Sequence, residues 1–514
     1  MKFLPPGFAP GSRWRGVLLG GVFLGAAALV LHTQLFHNGL PIVRPGDDVR
    51  LMYEALLNSR GSLIYRDFFE FAQPGIVFFF QGWGALAGFG IMQLNYAVLT
   101  IWLAVTFAVW RIGSAVVPSP WAAVCAACTL WWCAGIMPIY HVSAAALLMG
   151  AAAVLEPPRP MTLPSQVSRR ALLAGFLAGL AFVTMQSRGA MGGLALLAWT
   201  WRRRGAPAAM LFAIAAAVPV VAVGSYFALN GGLADWLHFT LVFAVAQAPR
   251  GTWAGLHVFA ESFRTDGIEQ VMRSAVLYAP AVLAPFVATA ALMVRDTPAL
   301  VRLLGLLVLS QVAAVLWGPD VYRLLAGVFP AFIIAAWFCS RLRTRAVWLS
   351  AAALVMTLLL GNQMRHVQAA PYVTIPDRVA NSVALLVRSD ESPRYEWVLR
   401  HTTAGETVAF YPWENDLLFL GDLRNPGKYL WLDEGGFNSD TEIASALDAW
   451  RTRPPRLAMW LKVVRNDGSE VSPQRLRPLK AYLDRCYDPV ASFAYGDLFE
   501  YRHGQDGCGD DSPR

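Results

Sequence analysis

"RPGDDVRLMYEALLNSRGSLIYRDFFEFAQP", residues 44–74, carries eleven ionisable side chains, counting Tyr53 and Tyr65. It follows the first long apolar segment of a chain whose first 361 residues are otherwise mostly apolar. Working outward, the 514 residues are 56% hydrophobic and only 15% charged, with 19 Trp and 29 Phe. A water-soluble protein does not carry that balance, and many apolar stretches approach the roughly 20 residues that a bilayer crossing needs. The chain reads as a multi-span α-helical membrane protein. Residues 1–361 hold 24 Lys and Arg against 12 Asp and Glu, whereas residues 362–514 hold 18 against 22. The change of character near Gly361 predicts two parts: a membrane domain, 1–361, and a smaller domain, 362–514. In the second part, β-like runs such as "ETVAFY" and "RLAMWLK" alternate with helical ones such as "EIASALDAW", which predicts an α/β domain.

Cationic clusters beside spans mark the cytoplasmic side. Those at Lys2/Arg13/Arg15, Arg111, Arg159/Arg169/Arg170, Arg202–Arg204, Arg295/Arg302 and Arg341/Arg343/Arg345 can all be placed inside. The arrangement requires about eleven spans, near 16–34, 93–111, 120–137, 143–155, 171–185, 190–201, 207–229, 275–294, 299–317, 322–340 and 346–361. The tail then lies outside, as do ten of the twelve acidic residues before position 361. The apolar stretch Gly75–Gly90 is read as a juxtamembrane helix, because counting it as a span would put later cationic clusters outside. The main outer loops are 37–92 and 230–273. Cys125-x-x-Cys128 lacks a second ligand pair and reads as apolar filling, while Cys486 and Cys508 can pair if the tail meets an oxidising compartment.

In the opening stretch, "PGDD" predicts a short helix from Asp47 or Asp48 through Asn58. Asp47 is then either a simple helix cap or, with Arg50 three residues on and on the same face, half of an exposed carboxylate–guanidinium pair. Such a pair suits proton acceptance from a hydroxyl and bidentate binding of a lipid phosphate. Tyr65, Phe68, Phe69 and Phe71 are read as interface anchors. Arg66 with Asp67 is either an ion pair or a substrate contact, and Glu70 is a further candidate contact. In the second long loop, His238 and His257 are weak candidates for metal ligands, and the charged residues there read mainly as a solvated face.

The order of these features resembles the GT-C membrane glycosyltransferases. It is most similar to the branch holding protein O-mannosyltransferases and the aminoarabinose transferase of lipid A. The resemblance is carried by the Asp47–Asp48 pair in a long first outer loop, by "YRDFFEFAQPG", by "ALLAGFLAGLAFVTMQSRGAM", and by tail segments such as "AFYPWENDLLFLGDLRNP" and "AYLDRCYDPVASFAYGDLFEYR". It covers most of the chain. It implies a polyprenyl-phosphate-sugar donor and an acceptor outside a bacterial inner membrane, on the periplasmic side. Asp47 takes the acid–base role with Asp48 beside it, and Arg50 and Arg188 become donor-phosphate ligands; Arg66 and Arg323, by their position outside, are further candidates for that role. Asp67, Glu70, Gln73, His141 and Tyr322 become substrate contacts. Two departures stand out. Gln73 occupies a position where the aminoarabinose transferases carry lysine, and the acidic residue of their next outer loop is missing near His141 and Ser143. No cofactor is required, although a divalent metal at Asp48 or Glu70 is compatible with the pattern. Partners are membrane lipids, the donor and an unidentified acceptor, with no nucleic acid. A flippase of lipid-linked sugars and a non-catalytic envelope assembly protein are the alternatives; clustering of ionisable residues at span ends disfavours the flippase.

Overall fold

The computed structural model describes residues 25–136, 139–157, 163–246, 268–316, 321–380, 384–411, 415–432, 438–464, 470–471, 475–494, 496–503 and 508. Long apolar runs become helices because a helix satisfies its own backbone polar groups, which a bilayer cannot do. Among the described residues, four helices are long and apolar enough to cross a membrane: Ile91–Gly113, Pro164–Thr184, Gln186–Leu229 and Arg345–Ala369. Shorter apolar helices include Gly25–Leu35, Gly75–Ala87, Ile139–Leu155, Ala299–Val315 and Phe329–Cys339.

The Gln186–Leu229 helix is two arms joined at Gly205, whose φ of 83° breaks the helical path. This is where 190–201 and 207–229 were separated on sequence. Its second arm lies tightly on Pro164–Thr184, where a methyl added at Gly175 or Gly179 would collide with the backbone of Phe212 or Ala216. Such small-residue spacing lets two helices approach closely where lipid gives no hydrophobic drive. The expected 322–340 span is also broken, into Val321–Ala326 and Phe329–Cys339.

Gly75–Ala87 is helical over 13 residues, about 20 Å at 1.5 Å per residue, which is shorter than the hydrocarbon core. It follows the charged loop directly. That loop contains the Asp47–Ser59 helix and a tight return at Ile64–Phe68, where Tyr65 takes a φ of 70°. Two bonds hold this turn: Tyr65 N donates to Phe68 O at 2.9 Å, and its phenol donates to Ala72 O at 2.6 Å.

Beyond the Arg345–Ala369 helix the chain becomes mixed α/β. Tyr372–Pro376 and Ala384–Arg388 pair as an antiparallel hairpin. Val408–Tyr411, Leu457–Leu461, Gly496–Tyr501 and Tyr487–Phe493 form a four-stranded sheet in that spatial order, with the first pair parallel and the others antiparallel. Asp440–Thr452 begins with a capping box between Ser439 and Glu442, and Cys486 is disulfide-bonded to Cys508.

This tail sits on the first loop. Val43 N donates to Leu386 O at 2.8 Å, Phe69 N to Lys428 O at 2.8 Å and the Tyr53 phenol to Leu423 O at 2.7 Å. Arg60 pairs with Asp422. These contacts correct one reading. Tyr65, Phe68 and Phe69 are buried in protein, 0%, 2% and 0% exposed, and are not interface anchors. Phe69 packs against Phe239, Phe243, Tyr429 and Trp431 instead. An aromatic cluster suits a headgroup layer or a dry interface equally well, and here the tail covers it.

Candidate active site

The site begins with the Asp47–Ser59 helix. Its N-cap is Gly46, with no side-chain capping bond, so the Asp47 carboxylate is spent elsewhere. Asp47 Oδ2 accepts the Tyr140 phenol at 3.0 Å, and Oδ1 lies 3.4 Å from both Nε and Nη2 of Arg50. Tyr140 comes from the first turn of the Ile139–Leu155 helix, so two distant segments fix one carboxylate.

Arg50 was expected to be an exposed ligand for phosphate, but it is 7% exposed and engaged by carboxylates. Its Nη1 donates to Glu54 Oε1 at 2.7 Å and to Glu70 Oε2, and the guanidinium lies 5.7 Å from the Trp431 ring. Glu54, four residues after Arg50, had a helical-spacing signal for this contact and was overlooked. Glu70 is fully buried; its other oxygen accepts the backbone N–H of Phe71 and of Ala72, each at 2.8 Å. It serves to hold its own loop rather than to face a substrate. Burial pushes Glu54 up to about 7, against the opposing pull of Arg50. Of the three carboxylates around Arg50, Asp47 alone is reachable, with a side chain 38% exposed against 0% for Glu54 and 1% for Glu70.

The two aspartates separate. Asp48 turns away from Arg50 toward Arg44 and accepts the Ile139 N–H, so it holds the start of the helix that carries Tyr140. Burial pushes it up to about 6; Arg44 opposes the shift and Asp47 adds to it. Arg44 and Asp48 share a small cavity of about 10 Å³ with Leu94, Asn95 and Val98.

Arg188, expected as a ligand for the donor phosphate, is 0% exposed. Its Nε donates to His141 Nδ1 at 2.9 Å, Nη1 to Gln311 Oε1 at 3.0 Å and Nη2 to the Arg323 carbonyl. It therefore ties together Ile139–Leu155, Ala299–Val315 and Val321–Ala326. His141 is buried within this network rather than open to a substrate. Arg66 and Asp67 form a two-bond pair, both at 2.8 Å, with Asp67 also accepting Leu63 N. Gln73 is buried and its Oε1 accepts the Trp236 indole N–H at 3.1 Å. Gln73 is thus engaged in holding the loop and does not face a substrate, whereas Arg66 and Asp67 pair with each other at an accessible surface, with side chains 45% and 37% exposed. The Tyr322 side chain, His257 and residues 247–267 lie outside the described residues. Among the described residues, no three His, Cys, Asp or Glu are grouped to hold a metal ion.

Tyr140, the partner of Asp47, lines a mostly apolar cleft of about 280 Å³. Phe71, Met185, Met191 and Phe243 line it, and Tyr140, His141 and Arg323 stand at its polar part. Gln186 secures one wall, its Nε2 donating to Phe71 O at 2.7 Å. The cleft thus has a phenol and an arginine in its apolar lining, and the phenol carries the bond to Asp47.

No family model matches the sequence, and no curated protein matches it. Solved structures do match in fold. ArnT from Cupriavidus metallidurans, bound to undecaprenyl phosphate, superimposes with a TM-score of 0.61 at 13% identity, over 97% of this chain and 99% of that one. The Archaeoglobus fulgidus oligosaccharyltransferase in complex with Zn and sulfate gives a TM-score of 0.48 at 12% identity, over 85% of this chain and 67% of that one. The arabinofuranosyltransferase AftD from Mycobacteria gives 0.46 at 13%, over 94% of this chain and 40% of that one. This chain has the GT-C fold, the fold of ArnT.

Proposed function

We propose that the chain is a membrane glycosyltransferase that moves a sugar from a polyprenyl-phosphate donor to an acceptor at the outer membrane face. One observation carries this reading: the reachable Asp47 carboxylate is hydrogen-bonded to Tyr140, which lines an apolar cleft whose lining also includes Arg323. A lipid phosphate needs an apolar trough for its chain, a cation for its headgroup and a base near the carbon it carries. The cleft's apolar wall and the presence of Arg323 in its lining suit the first two, and Asp47 suits the third. The matching fold of ArnT, solved with undecaprenyl phosphate, supports the same donor class.

In this mechanism the acceptor hydroxyl gives its proton to Asp47 as its oxygen attacks the anomeric carbon. The bond from that carbon to the phosphate oxygen breaks with inversion, and polyprenyl phosphate leaves. Arg323 offsets the charge that develops on the departing phosphate. Tyr140 holds Asp47 in position by its hydrogen bond. The guanidinium groups of Arg50 and Arg188 bond to protein partners and build the site's walls.

The tail's contacts with the first loop support an orientation as well. Two segments packed together share a side, so an even number of crossings separates them. Ten crossings between loop and tail, with Gly75–Ala87 not crossing, meet that condition and keep eleven in all. The first loop and the tail then lie on the periplasmic side of a bacterial inner membrane.

Mass spectrometry of envelope glycans and lipids, from cells with and without the chain, tests the activity. Loss of one sugar from one envelope component, with its lipid-linked donor accumulating, is the expected outcome. Identical profiles for every component and every lipid-linked sugar would contradict it.

A further inference from the structure

Glu54 has no part in the transfer step proposed above, and its position asks for one. It is 0% exposed, and its Oε2 is buried with no hydrogen-bond partner among the described residues. A carboxylate in that state is costly, and an apolar side chain is often as good or better for stability. Glu54 lies seven residues after Asp47 and four after Arg50, so all three share one helical face.

The geometry of Arg50 shows what Glu54 does. A guanidinium meets a carboxylate best edge-on, through two parallel short bonds. The Nε–Nη2 edge of Arg50 does face Asp47, but both nitrogens stand 3.4 Å from Oδ1, longer than a good bond. The opposite corner, Nη1, is held by Glu54 at 2.7 Å and by Glu70. Trp431 covers the guanidinium. The cation is thus tethered at the end away from Asp47.

We propose that Glu54, together with Glu70, is a positioning residue that holds the Arg50 guanidinium off Asp47 and so leaves the Asp47 carboxylate free to take the acceptor's proton. The role rests on Asp47 being the base. A bidentate bond to Arg50 would occupy Asp47 and oppose its protonation. Withdrawing one charge at Nη1 lets Arg50 settle onto Asp47.

Groups from each packed element bear on Glu54. On its own helix these are Arg50 and Asp47. The 65–73 segment contributes Glu70 and Tyr65. Tyr140 faces Asp47 and Arg50, with Arg323 beyond it. Of these, Glu54 is pushed up to about 7 by burial, so acidification through that range neutralises it and loosens the tether.

The test is Glu54→Gln, which keeps shape and removes charge, made in the full-length chain in lipid nanodiscs. An experimental structure of the variant is expected to show the Arg50 guanidinium moved onto Asp47 with two short bonds. Transfer from a synthetic undecaprenyl-phosphate-linked sugar, using the acceptor defined by the envelope comparison, is expected to fall by about tenfold in kcat with donor KM unchanged. The acid limb near pH 7 disappears in the same variant and returns in Glu54→Asp. Glu70→Gln, measured in parallel, is expected to move Arg50 the same way and serves if Glu54→Gln fails to fold. An unmoved Arg50, or a wild-type acid limb in Glu54→Gln, overturns the proposal. The structural result needs no activity, so it stands or falls separately from Asp47 as the base.

Discussion

Tyr140 donates its phenolic proton to Asp47 at 3.0 Å, across 93 residues of sequence. The bond joins the first outer loop to the start of the Ile139–Leu155 helix. It also fixes which oxygen of Asp47 remains open: Oδ2 is held by Tyr140 while Oδ1 faces Arg50 at longer range. Tyr140→Phe removes the donor and keeps the ring. Hydrogen bonds to charged groups are worth about 1.5–3 kcal/mol, so turnover is expected to fall about tenfold or more, with donor KM little changed. Steady-state transfer kinetics check this, and unchanged turnover counts against an orienting role.

Arg188 and Arg323 are expected to behave differently. Arg188→Ala leaves the buried Gln311 Oε1 and His141 Nδ1 without the donor they now have. Each loss costs about 1–3 kcal/mol, so the thermal midpoint in detergent falls clearly. Arg323 lines the cleft. Its Ala variant is expected to lose affinity for undecaprenyl phosphate by about 1.5–3 kcal/mol, which Arg188→Ala is not. Calorimetry and a lipid-binding titration separate the two. The reverse pattern would return the phosphate to Arg188.

Asp48 offers a pH test with a defined sign. Its carboxyl sits at about 6 in the folded chain, above the ordinary 3.8, because burial disfavours the ion. The folded state therefore binds this proton more tightly than the unfolded state. The contribution is most favourable below about 4, is lost as pH rises toward about 6, and is level above that. Asp48→Asn is expected to abolish this decline, seen as thermal midpoints across the range, while transfer stays close to wild type. A transfer defect as deep as that of an Asp47 variant would make Asp48 the base.

Much of the helical framework was legible in the sequence because span length and apolar content are local properties. The helix at 47–59 was anticipated through Asn58, and helix appears at Gly75–Ala87 where a short juxtamembrane helix was read. Partnerships across the fold were not legible. Arg50 meets Glu70 from 20 residues away, and Arg188 meets Gln311 from 123 residues away. No spacing rule reaches that far, so both arginines read as open cations when they are internal ties. Glu54 could have been found, since four residues after Arg50 is a helical neighbour. Tyr140 carries no such sign: it opens an apolar helix, and only the packing of that helix on the first loop brings it to Asp47. The Phe68–Phe69 cluster was misjudged because composition alone cannot tell a lipid headgroup layer from the underside of a covering domain.

The most direct test of the account is transfer by Asp47→Asn. Asn keeps the size of Asp and caps a helix about as well, and the N-cap here is Gly46 in any case. Expression, thermal midpoint and undecaprenyl phosphate binding are expected to match wild type. Transfer of sugar from the polyprenyl-phosphate donor is expected to fall by about 100-fold or more, as loss of a general base requires. An Asp47→Asn protein that transfers sugar at the wild-type rate would contradict the account.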